Sequence, residues 1–461
     1  MTDAVRQQSS VVAAMAEDWT LIDALMGGTK TMRQAGKRYL PQWPAEEQQS
    51  YAKRLATATL FPAYERTVSV LTGKPFSKPI TIGEDVPARI KGWLEDVDLQ
   101  GRNLDAFASD LCQGALGYGL EGILVDYPQN PGAKTKADEQ KAGVRPYFVH
   151  VRHDNILGWK TARVGGSLIL TQLRLLELVE VPDGEFAVKT VEQVRVLEPG
   201  TWTTWRKSGP LKTDSWVPFD SGTTTIDVIP FVPVYGKRKD FMIGTAPMME
   251  LAHANVEHWQ SKSDQQTILH VARVPVLFAK DIGSETQLKI GSDCFISASS
   301  PNADLKYIEH SGKAIEAGRI SILDLEDRMR QIGAELLVIK PGNTTEVQTI
   351  ADNEQGMCDL QRIMQTVEDA LDQALDLMAK WIGEAKGGHV TIYRDFGAAT
   401  LAEASADLLY KMRSSGSLSL ETLLNECKRR GILSPDIDVE EEIARAKADA
   451  PEITTTVTDK P

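Results

Sequence analysis

Residues 313–336 carry apolar side chains on a seven-residue repeat. Ile315, Ile322, Met329 and Leu336 share one heptad position; Leu325 and Ile332 lie three places beyond two of them, and Gly318 fills the matching place one heptad earlier. Such a spacing draws one narrow stripe along a helix, and a stripe of that kind packs lengthwise against another helix. The pattern breaks at Pro341-Gly342-Asn343. A second helical pattern then runs over about 346–383, with Met357, Leu360, Met364, Val367, Leu371, Leu375 and Met378 at helical spacing. Its other face holds Glu354, Asp369, Asp372 and Asp376, and between Glu346 and Asp376 eight acids stand against one base, Arg362. A solvated or repulsive face is the usual meaning of such a run. Two long helices separated by a break suit an elongated assembly better than a compact enzyme.

The chain has 461 residues, enough for two to four domains. Its net charge of −13, from 51 basic and 64 acidic residues, argues against a protein that grips nucleic acid through a general basic surface. It leaves open one past which nucleic acid slides. No apolar run approaches the roughly 18 residues of a membrane span, so no membrane association is expected. Met1-Thr2-Asp3-Ala4 lacks the basic-then-apolar opening of a signal peptide. Cys112, Cys294, Cys358 and Cys427 form no CxxC pair and read as reduced, buried small side chains, not a disulfide frame or zinc site.

Along the chain, residues 1 to about 120 read as mostly helical. Val11–Met26 carries an apolar stripe ending at Gly27-Gly28. Pro44 is expected to open a helix with Glu46 and Glu47 in its first turn. Residues 101–119 read as a helix running into a short buried strand, Ile123–Tyr127, and 128–144 as an exposed loop. From 146 to about 235 the segments Tyr147–Val149, Leu168–Val181, Phe186–Leu197, Thr201–Arg206 and Thr224–Tyr235 are rich in β-branched and aromatic residues, with Asp183-Gly184 as a hairpin turn. Residues 247–273 form one long helical pattern whose middle, Ser261–Gln266, is polar all round, as in a hydrated spacer or subunit contact. Short strands are expected at Val276–Phe278, Phe295-Ile296 and Leu305–Ile308. A strand over 389–396 and three short helices near 400–413, 419–430 and 438–448 follow, the second capped by Ser417 or Ser419, and the tail from Pro451 is expected to be disordered.

No motif here carries convincing chemistry. Gly117–Gly122 spells GxGxxG, but the dinucleotide site needs strand before and helix after, whereas here the order is reversed. The plainer reading is a flexible helix-to-strand junction. Gly36-Lys37 and Gly73-Lys74 lack the remainder of a phosphate-binding loop. His253 and His258 are five apart, on different helix faces, and read as surface histidines, not zinc ligands. The acids of 346–376 could bind Mg²⁺ only against the usual meaning of such a run. No GxSxG elbow exists, so no catalytic, cofactor-binding or metal-ligating residue is assigned, and no cofactor is expected.

The order of elements resembles that of the portal proteins of tailed bacteriophages over about 40–450. The resemblance is carried by Tyr64–Val68 to Gly73–Phe76, Gly119–Tyr127, Ile229–Pro233, His258–Asp264, and Gly416–Thr422 followed by Gly431–Leu433 and an acidic helix. It implies an α+β fold: a helical and β-rich wing over 1–246 (helical to about 120, β-rich over about 123–240), stem helices over 247–273 and 313–336, and a β clip over 274–312. A tunnel loop, long tunnel helix and return strand would occupy 337–398, and a helical crown 399–450, before the tail at 451–461. About twelve copies would close a ring by heterologous contacts around double-stranded DNA. That ring would stand at one capsid vertex of the virion, after assembly in the host cytoplasm, for DNA packaging and ejection. Terminase, scaffold or capsid, and head-completion proteins would be its partners. Lys340, Asn343, Thr344, Thr345 and Glu346 would form the tunnel loop at the DNA channel. Glu354, Asp369, Asp372 and Asp376 would turn an acidic face that repels phosphate and lowers friction, since basic contacts would trap DNA. Ile315, Ile322, Leu325, Met329, Ile332 and Leu336 would pack the stem. The competing readings are a shorter head–tail adaptor, a phage DNA-modifying enzyme, and a monomeric scaffold.

Overall fold

The computed structural model describes residues 2–128, 143–209, 215–273, 276–280, 302–308, 312–337, 357–394, 410–416, 418–429, 433 and 437–448. The architecture is α+β. Helices α1 (Ser10–Met26), α2 (Gly28–Ala35), α3 (Gln48–Thr57), α4 (Ala63–Gly73), α5 (Ala88–Trp93) and α6 (Leu104–Tyr118) build the N-terminal part. Ser9 caps α1, its hydroxyl accepting from Val12 N–H, and Val12, Met15, Trp19, Ile22 and Leu25 bury one stripe at helical spacing. The helix expected from Pro44 begins instead at Gln48. Glu46 lies outside it because its carboxylate takes a two-pronged bond from Arg54, at 2.7 Å on each oxygen.

Asn103 caps α6, and Gly119 ends it at φ +87°, the left-handed conformation that leaves a helix without a Cβ clash. The chain then enters β2 (Leu120–Asp126), buried along nearly its whole length because both edges and both faces are covered. β2 is the centre of an antiparallel three-stranded sheet between β3 (Tyr147–Val151) and β9 (Phe231–Tyr235), with Ile123 opposite both His150 and Val232. A second antiparallel sheet runs in sequence order: β4 (Ile156–Val164), β5 (Ser167–Asp183), β6 (Ala187–Glu198), β7 (Thr201–Lys207) and β8 (Trp216–Thr223). The expected hairpin between β5 and β6 forms, but its turn is the three-residue loop Gly184-Glu185-Phe186, with Asp183 still paired to Ala187. Strands β4 and β8 were not expected from the sequence. The segment 224–230 lies outside β9, which starts at Phe231.

A small hairpin, β10 (Lys237–Asp240) with β11 (Ile243–Thr245), leads to α7 (Met249–Ala272). Strands β12 (Val276–Lys280) and β13 (Asp304–Ile308) pair antiparallel over five residues each, and α8 (Lys313–Glu335) returns alongside α7. Phe295-Ile296 and Cys294 lie outside the described residues. The helix expected from about 346 is described as α9 (Asp359–Ile382). Its N-terminus is set by a capping box, in which the Cys358 N–H donates to Gln361 Oε1 at 2.8 Å. Strand β14 (Val390–Thr391) pairs with β1 (Thr81–Ile82), tying the return segment to the N-terminal part. Helices α10 (Leu420–Arg429) and α11 (Val439–Ala448) close the chain, and Ser419 caps α10 through Thr422 N–H.

One large core joins α1, α4, α6, β2, β9, the first half of α7, the end of α8 and the apolar stripe of α9. A second lies between α1, β2 and the five-stranded sheet. Among the described residues no helix is long and apolar enough to cross a membrane.

Candidate functional site

The α7–α8 pair is the feature from which a long-range function can be built. Three contacts fix its antiparallel register. Gln265 Nε2 donates to Ile315 O at 2.8 Å, His258 Nε2 bonds Glu326 Oε1 at 3.1 Å, and Arg328 meets Glu250 at 3.3 Å. Gly318 sits where a Cβ would run into the Gln265 side chain, so the glycine at the heptad position is a close-approach residue. Leu325, Met329 and Leu336 are buried, whereas Ile315, Ile322 and Ile332 are half-buried. The seam therefore changes character along its length: its C-terminal half enters the large core, and its N-terminal half lies against the polar middle of α7.

The polar helix is less hydrated than its sequence suggests. His258, read from sequence as a surface residue, is fully buried, with its ring 5.3 Å from Phe61; His253 is exposed as expected. Burial holds the His258 pKa below its ordinary 6.5, against the pull of Glu326 in the other direction. Asn255 accepts from Tyr64 N–H at 3.0 Å and donates to Phe61 O at 2.8 Å, and Gln260 donates to Tyr39 O. A buried asparagine, a half-buried glutamine and a buried histidine thus root α7 in the N-terminal helices, a role that hydrophobic periodicity does not reveal because the groups are polar. Farther out, Ile268 on α7 and Ile320 and Leu323 on α8 are exposed apolar side chains.

Helix α9 splits the expected acidic face. Asp369 is exposed, and Asp376 is exposed with its Oδ1 accepting from Gly387 N–H at 2.7 Å. Asp372 is half-buried and accepts from Val390 N–H at 2.8 Å, while Glu368 accepts from Ile392 N–H at 2.9 Å. Glu368, Asp372 and Asp376 stand one helical turn apart and act as the edge against which the return segment 387–392 hydrogen-bonds. The reading of this face as wholly solvated is corrected on that ground. Sequence reasoning passed over Glu368, although its four-residue spacing to Asp372 was the available signal. Burial raises the Asp372 pKa, with the Val390 N–H pulling it back. The backbone of Leu360 donates to Leu336 O at 3.0 Å, which brings the end of α8 against the start of α9. Lys340, Asn343, Thr344, Thr345, Glu346 and Glu354 fall between, outside the described residues.

The GxGxxG stretch has the helix-then-strand order expected, but it is a tight junction, not a flexible one. A Cβ on Gly119 would strike the Thr245–Ala246 backbone, and one on Gly122 the Phe231 ring. Between them Glu121 is buried and accepts from His150 Nε2 and His153 Nδ1, each at 2.9 Å. Burial pushes the Glu121 carboxyl up, but the two histidine donors together outweigh it and its pKa falls below the ordinary 4.5. His153 stacks on Tyr118 at 3.7 Å, which packs the triad into the wall between the two cores. Cys112 and Cys358 are buried and Cys427 is half-buried, and none of the three is in a disulfide among the described residues. Among the described residues no cluster of three or more metal-ligating side chains converges.

Residues 247–382, less than a third of the chain, match a family described as a domain of unknown function (DUF4055). The matched stretch holds α7, β12, β13, α8 and α9. No curated protein matches the chain. Among solved structures, the chain is similar to one from the neck of an empty gene transfer agent particle computed with C6 symmetry. That pair has 13% identity and TM-score 0.41, covering 80% of this chain and 90% of that one. It is similar to another from the neck of the native particle computed with C12 symmetry, with 12% identity, TM-score 0.39, and 81% and 89% covered. A third comes from the virion of the native particle, with 14% identity, TM-score 0.38, and 86% and 97% covered. At TM-scores below 0.5 these likenesses do not establish a common fold.

Proposed function

We propose that this chain is a structural component of a phage-type head-to-tail connection. More specifically, it is a portal-type subunit whose copies form a ring that passes double-stranded DNA. One observation carries the reading: an antiparallel helix pair, rooted by buried polar side chains in a mixed core, reaches out to a two-stranded hairpin and leaves Ile268, Ile320 and Leu323 bare. A lone chain gains nothing from such a device. Copies set side by side would cover these side chains, and rotation by a heterologous contact closes a ring. Lys340 to Glu346 would then be the loop that approaches DNA, with Lys340 brushing the phosphate backbone without reading sequence. The hairpin β12–β13 would meet head-completion proteins, and terminase and scaffold or capsid proteins would contact the ring elsewhere.

Negative-stain electron microscopy of the purified chain tests this. Class averages showing rings with a central hole are expected. Compact single-chain particles that persist at high concentration and after mixing with scaffold protein would refute it. Given rings, a Lys340→Glu chain is expected to package DNA less well than wild type, and equal packaging would remove Lys340 from the channel role.

A further inference from the structure

Strand β5 is about 55 Å long at the usual strand rise, and its two ends carry opposite chemistry. At one end, the β4–β5 hairpin exposes Val164 (58%), Leu168 (41%) and Ile169 (40%). Residues 156–176 contain Lys160, Arg163 and Arg174 and no acid. Arg174 is engaged with the carbonyls of Ala4, Val5 and Gln7, whereas Lys160 and Arg163 are exposed with no ion pair to a described residue. At the other end, β5 and β6 run on past their neighbours. β4 pairs with β5 only up to Leu175, and β7 with β6 only from Gln193. Residues 177–192 are therefore a two-stranded arm with no third strand among the described residues and no buried side chain of its own. Phe186 at its tip is 94% exposed, and Leu178 and Val188 are each 65% exposed. The arm holds five acids and one base. Asp183, Glu192 and Glu177 have cationic partners, at Lys189, Arg6 and Arg195, but Glu180 and Glu185 have none among the described residues. Leu178, Glu180 and Val188 share one face of the arm.

A bare two-stranded arm is marginal in water, and an apolar, acidic surface calls for an apolar, basic one. The opposite end of the same strand supplies it. We propose that the acidic β5–β6 arm of one copy docks on the basic β4–β5 hairpin of the next, Glu180 and Glu185 meeting Lys160 and, at the hairpin edge, Arg163, and Phe186 and Leu178 covering Val164 and Ile169, which the register puts on one face with Lys160. The contact is head-to-tail, so it propagates from copy to copy; only its closure into a ring rests on the function proposed above.

The test is sedimentation velocity on the full chain with two double variants, Glu180→Lys/Glu185→Lys and Lys160→Glu/Arg163→Glu. Each alone is expected to associate about tenfold more weakly or worse, since like charges then meet. Mixed together, the two are expected to co-assemble, because the basic arm of one fits the acidic hairpin of the other. Co-assembly also shows that both variants are folded. Either variant associating like wild type, or a mixture that stays apart, overturns the pairing. Wild-type rings indifferent to both variants would overturn the pairing and leave the ring reading standing. Charge-sensitive open chains without closure would support the pairing and refute the ring.

Discussion

The five-stranded sheet is inserted in the chain between β3 and β9 of the three-stranded sheet, and the two obey opposite constraints. β2, at the centre of the three-stranded sheet, is walled by α6, α9 and two partner strands, and even its glutamate is buried with each carboxylate oxygen answered by a histidine. β5, in the five-stranded sheet, buries Leu173 and Leu175 and then runs out into solvent as an arm. Both strands are rich in Leu and Val, so apolar composition does not distinguish them. What differs is supply: β2 has covering elements within its own chain, and the outer half of β5 has none among the described residues. An apolar strand states that something covers it, and only the fold shows whether that something is in the same molecule.

The sharpest way to break this contrast is at Gly119. Alanine there meets both a left-handed backbone and the Thr245–Ala246 backbone. A loss of about 3–5 kcal/mol in urea unfolding is expected. Met329→Ala comes next: it opens a cavity where the helix seam enters the large core, and should cost about 3 kcal/mol. A smaller loss comes with acid. The buried His258 keeps its pKa below 6.5 in the folded chain, so below pH 6.5 the unfolded chain binds the extra proton first. Stability should therefore fall as pH drops from 6.5 towards the folded-state pKa, and a His258→Gln chain should lack that component in a urea-midpoint series. Glu121 adds a second loss at lower pH: its pKa is held below 4.5, so its contribution disappears as pH falls through that lower value. The smallest effect is the most telling. Phe186→Ser should change the unfolding free energy of the subunit by less than about 0.5 kcal/mol, while weakening association measurably by sedimentation. A substantial loss of subunit stability would show that the arm is already packed within its own chain.

Much of the helical framework could be read from the residues. The heptad at 313–336 became α8, the polar pattern at 247–273 became α7, and Gly119 stands at the expected helix-to-strand junction. Strand β8 escaped because Pro218 and Asp220-Ser221-Gly222 look like a turn. The fold tolerates them on an edge strand, with a register shift opposite at Thr204/Trp205. Strand β4 is interrupted by Gly158 and charged at its outer end, so no alternation announces it. The site was less legible still. His258, Asn255 and Glu121 are polar residues whose burial depends on partners far away in sequence, and nothing near them signals that. For Glu368, Asp372 and Asp376 the regular spacing was visible, but not the backbone amides that occupy the carboxylates.

By itself the sequence determined the local terms: where helices start and stop, which stripe of each is apolar, and where the chain must turn. Those follow from side-chain periodicity and capping within a few residues. The tertiary structure alone decided which polar groups went inside and which apolar ones stayed out, because burial is a property of the whole packed surface and of the partners it brings together.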